Sequence, residues 1–132
     1  MKHYAPVVAI ILGVVLGINA LAQLIAPEPW FWAVPGVSLR GAYNPHLVRD
    51  LGLIYLAVAG GLVIGAYDVK QRVAWWFPPM FWLTGHAIFH ALEVVAGVVS
   101  SASLLEDFAG VTLPALISIA LVIHAYRNRS TE

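Results

Sequence analysis

The sequence predicts an all-α, polytopic integral membrane protein: a four-helix bundle with both termini cytoplasmic. Three observations carry this. The 132-residue chain is 61% hydrophobic and only 11% charged, whereas an ordinary soluble domain carries about 25% charged residues. Its mean hydropathy is +0.83. The apolar residues gather in four runs, near 5–26, 45–66, 74–100 and 108–126, each close to the roughly 20 residues that cross a bilayer core. Residues 1–132 read as a single transmembrane domain without repeats.

The first run begins with Lys2 and His3 and reaches Ala20-Leu21-Ala22 before Gln23, a pattern shared with cleavable secretory signals. Apolar residues continue through Leu24, Ile25 and Ala26, which favours a retained spanning helix. Cleavage would leave three helices in the same orientation. Gly13 and Gly17 form a Gly-x-x-x-Gly pair suited to close helix approach.

The outer connection, 27–44, starts Pro-Glu-Pro-Trp-Phe-Trp and contains Pro35-Gly36. It is a poor spanning helix, and Trp30, Phe31 and Trp32 suit an interfacial belt. An anchoring role is expected of it rather than that of a lid.

Asn44-Pro45 is a start signal for the second helix, since Asn caps and Pro fits the first helical position. The short charged connection from Tyr67 to Val73 makes the second and third helices antiparallel neighbours. Pro78 and Pro79 are expected to delay regular helix until about Met80, and Pro114 to kink or loosen the fourth helix.

Lys2, Lys70, Arg72, Arg127 and Arg129 fall on one side of a four-span topology, while only Arg40 and Arg49 fall on the other, with Glu28, Glu106 and Asp107. The positive-inside rule puts the first group, and both termini, in the cytoplasm. A bacterial inner membrane is the expected location. The bilayer is the first partner expected, with partner membrane subunits or a second copy of the chain beyond it. A formal net charge of zero gives no reason to expect nucleic acid. Lack of cysteine excludes thiol redox chemistry, disulfides and zinc–thiolate sites.

Ionisable side chains inside apolar runs are costly and mark functional sites by default. His86, His90 and Glu93 share one face of the third helix within roughly 60° of arc. His46 and Asp50, four apart on the second helix, are neighbours, with Arg49 at the flank. The helical rise puts both clusters in the outer half, with Asn19, Gln23 and Thr112 at similar depth.

Three readings compete. In the first, His46, Asp50, His86, His90 and Glu93 hold a transition metal, iron, copper or zinc. Arg49, Asn19 and Gln23 then surround the ligands, although Arg49 counts against a metal, since a cation there repels the ion unless it pairs with Glu93 and so removes that ligand. A redox-active metal there would make the protein an oxidoreductase or a subunit of one. In the second, the same groups form a helix-pairing network in a structural or accessory subunit. The third is a proton relay or a pocket for a small polar or quinone-like molecule. Haem ranks lower, because His46 lies about 9 Å shallower than His90 by helical rise.

Four spans, a long outer first connection and Asn44-Pro45-His46-Leu47-Val48-Arg49-Asp50-Leu51-Gly52 opening the second helix resemble the small four-helix bacterial membrane proteins of the DoxX-like kind. That resemblance implies quinone-coupled oxidation or an accessory role in a membrane complex. It is architectural and carries over no site residue.

Overall fold

A computed structural model describes residues 4–128, which contain helices and connecting turns but no strand. In chain order the helices are α1 (Tyr4–Ile25), α2 (Pro27–Ala33), a 3-10 turn (Val37–Leu39), α3 (Pro45–Tyr67), α4 (Arg72–Val95) and α5 (Ser103–Glu106), then a π-helical turn (Phe108–Thr112) and α6 (Leu113–Asn128). Lys2, His3 and Arg129 lie outside the described residues.

Three helices are long and apolar enough to cross a membrane: Tyr4–Ile25, Pro45–Tyr67 and the continuous Phe108–Asn128. They mark an integral membrane protein. At 24 residues α4 is as long, but its two histidines, glutamate and two prolines make it less apolar.

The four long helices close on one another. α1 lies along α3, α3 packs on α4, α4 on α6, and α6 returns to α1. Ala9, Leu12, Leu16 and Ala20 of α1 meet Tyr55, Ala59 and Leu62 of α3 in a core completed by Trp76, Leu83 and Leu121. Outward-facing Ile11, Ile18, Leu53 and Phe81 are exposed, as expected where lipid rather than protein covers a helix face.

The turn between α3 and α4 is heavily tied. Arg72 donates to the carbonyls of Gly65 and Ala66 at 3.0 and 3.2 Å, neutralising acceptors left open at the end of α3. Trp76 is fully buried and donates to Leu62 O at 3.0 Å. Its ring occupies the space a side chain at Gly65 would need, with a Cβ there only 2.5 Å from Trp76 Cδ1.

Pro78 and Pro79 do not delay the helix: α4 is regular from Arg72 and contains both. Proline φ is helical, and the cost is confined to the carbonyls of Ala74 and Trp75, which lose their usual donors. The Trp75 carbonyl faces Gly61 of α3, where a Cβ would come within 3.0 Å. A side-chain-free position thus accepts the irregular stretch. Near Pro114 the expected loosening takes the form of the π turn, in which the Asp107 carbonyl accepts from both Val111 and Thr112, at 2.8 and 3.2 Å.

Candidate functional site

Asn44 caps α3, its side chain accepting from the backbone N–H groups of His46 and Leu47 at 3.0 and 3.2 Å. The helix that follows turns Val48, Gly52 and Tyr55 inward. At about 100° per residue, His46 and Asp50 fall roughly 160° from Val48, on the opposite face. They pair with each other at 3.3 Å in the open, with 86% and 51% of their side chains exposed. Arg49 is also exposed and reaches the Leu24 carbonyl at 3.4 Å. This corrects the expected constellation. Arg49 does not pair with Glu93, and His46 and Asp50 stand on the outer surface of α3.

The other three expected residues do converge, on partners from the connections between helices. Arg40, just after the 3-10 turn, donates through Nε to Glu93 Oε2 at 3.0 Å and through an NH2 group to Asp107 Oδ2 at 2.7 Å. Asp107, at the head of the π turn, also receives His90 Nδ1 at 2.8 Å. An ionised carboxylate only accepts, so against an ionised Asp107 the contact is made by an Nδ1–H donor, and Nε2 makes no hydrogen bond among the described residues. His86 lies one turn deeper with its ring 4.5 Å from that of His90, flanked by Trp82 and Tyr55 at 5.9 and 6.2 Å. The network ties the outer connection to α4 and to the π turn at once. Gly36, at φ +78°, lets the connection fold over Arg40, where a Cβ would lie 2.6 Å from the guanidinium.

These groups form one end of a cavity of about 690 Å³. Its walls come from Leu16 and Asn19 of α1, Trp30 and Phe31 of α2, Tyr55 of α3 and Phe89 of α4. α2 is therefore more than a surface anchor. Phe31 is 5% exposed, and Trp30 donates to Asn19 Oδ1 at 2.8 Å, which fixes α2 as the roof of the chamber. Asn19 supports the site in this way. Gln23 does not: it is fully buried, outside the cavity lining, with neither amide atom bonded among the described residues.

The donor set does not fit a metal ion. Among the described residues no three His, Asp or Glu side chains are arranged to hold one. Glu93 Oε2 and Asp107 Oδ2 are taken up by Arg40, and His90 Nδ1 by Asp107. What remains is a largely apolar chamber with an ionic end that holds the His90 imidazole against the Asp107 carboxylate. Comparison with known proteins finds no counterpart, since no family model, curated protein or solved structure matches the chain.

Proposed function

We propose that this is a four-span membrane protein, both termini cytoplasmic, whose chamber binds a quinone-like small molecule and exchanges a proton with it through His90 and His86. α4 completes the span set by turning its polar face to the chamber and its apolar face, with Phe81 and Ile88, to lipid. Lys70, Arg72 and Arg127 then face the cytoplasm, and the chamber opens in the outer half.

The supporting observation is the cavity itself. About 690 Å³ with aromatic walls and one polar end is the size and character of a small-molecule site. A purely structural ion network needs no such space. The hydrogen bond from His90 to Asp107 supports the proton role, because a carboxylate at Nδ1 orients the ring and stabilises the imidazolium formed when Nε2 takes a proton. Arg40 also bridges two carboxylates on separate elements, which supports a part for the cluster in holding the outer end together. The two roles are compatible.

The test is a titration of the purified protein in lipid nanodiscs with a short-chain benzoquinone and its quinol, followed by quenching of Trp30 and Trp82. Saturable quenching at one molecule per chain that weakens at least tenfold in Phe89→Ala or Tyr55→Ala supports the reading. Linear quenching equal to partitioning into empty nanodiscs refutes it.

A further inference from the structure

We propose that the chamber selects a neutral head group that donates a hydrogen bond, a phenol or hydroquinone hydroxyl, and rejects anionic heads. This rests on the pocket reading and names the ligand class. The polar end holds the carboxylates of Glu93, Glu106 and Asp107 against a single guanidinium, Arg40. Two of that guanidinium's three nitrogens are already committed, to Glu93 and Asp107. Its remaining nitrogen, NH1, lies against Gly36, 2.6 Å from where a Cβ there would stand. With three carboxylates and one guanidinium in the lining, a carboxylate or phosphate head would enter a net negative end, a mismatch that costs most where water is excluded.

The two imidazoles in the lining offer capacity of the opposite kind. A neutral His90 that donates its Nδ1 proton to Asp107 across the 2.8 Å contact presents a lone pair at Nε2. His86, beside it, makes no hydrogen bond through either ring nitrogen among the described residues. A hydroxyl is the neutral group that matches this capacity, and the ring bearing it fits between Phe31, Tyr55 and Phe89. When the hydroxyl ionises, its O–H bond breaks, the electron pair stays on oxygen and an N–H bond forms at His90 Nε2. Asp107 neutralises the resulting imidazolium, so the step is complete without an oxidant.

Three probes of one length separate the outcomes: 4-octylphenol, its methyl ether and 4-octylbenzoate, each measured at pH 7.5 against protein in phosphatidylcholine nanodiscs with empty discs subtracted. A site built around a hydroxyl discriminates strongly against an analogue that lacks it. The phenol is expected to bind saturably and at least tenfold tighter than either of the others. In His90→Phe, phenol and ether should converge. Equal affinity of phenol and ether in the native protein overturns this inference while leaving the pocket reading intact. Benzoate binding as tightly as phenol overturns it too, by showing that the imidazoles stand protonated. No saturable binding by any probe overturns both.

Discussion

Arg40→Ala is the perturbation whose consequence the geometry defines most sharply. The guanidinium lies 3.0 Å from Glu93 and 2.7 Å from Asp107, and the three side chains retain only 14%, 13% and 7% of their exposure. At an effective dielectric constant of about 20, each pair attracts by about 4 kcal/mol at a charge separation near 4 Å. Desolvation offsets much of that in the intact network. Truncation removes the attraction and keeps the penalty, so deleting one partner of a buried pair typically costs about 3–5 kcal/mol. For a chain of this size that corresponds to a melting point lower by about 10–20 °C. Tryptophan fluorescence during thermal unfolding in nanodiscs reads the shift. Adding Glu93→Gln and Asp107→Asn to Arg40→Ala removes the stranded charges, and we expect at least half of the loss to return. An Arg40→Ala protein melting within 2 °C of the native one would refute the reasoning. So would a triple variant no more stable than the single.

Arg49→Ala is the matched control: its side chain is exposed with one long hydrogen bond to Leu24 O, so we expect a change of less than about 0.5 kcal/mol in the same melt. Gly65→Ala drives a methyl group to within 2.5 Å of the Trp76 ring and should cost about 1–3 kcal/mol by chemical denaturation; an unaffected midpoint would show that α3 and α4 are not seated as described. Asn44→Ala removes two bonds to the first turn of α3 and should cost about 1 kcal/mol, with Asn44→Asp keeping most of it. Because the chain has no cysteine, Ser38→Cys and Lys70→Cys give clean topology probes. A membrane-impermeant maleimide on intact cells should label the first and spare the second, and the reverse pattern would invert the proposed orientation.

The spanning helices were legible because each is a long apolar run bounded by its own signals. Asn44-Pro45 opens α3 where the sequence puts its start. α4 was less legible at both ends. Pro79 and the Trp75 carbonyl sit against Gly61 of α3, a tertiary accommodation that propensity cannot register, and the helix ends at Val95 rather than near 100, followed by Gly97 at φ +73°.

The site was half legible. His86, His90 and Glu93 were found because they interrupt an apolar stripe on one face of a helix. Arg40 and Asp107 are not legible in this way because both sit in connections, where charge is usually solvated, and their approach to α4 depends on how the outer segments fold back. Their one sequence signal is a deficit: Glu93 in an apolar helix needs a cation, and few are available on that side. His46 and Asp50 erred in the other direction. Proximity in sequence suggested membership, although Val48, Gly52 and Tyr55 already fixed the inward face of α3 and put them on the other one.

Photolabelling with a diazirine-bearing alkylphenol, followed by peptide mapping, tests the central claim most directly. Adducts concentrated on 82–93 and 103–112, and displaced by excess unlabelled 4-octylphenol, are the predicted result. Adducts spread over the lipid-facing residues of α1 and α6, unchanged by the competitor, would contradict a ligand chamber at this end of the protein.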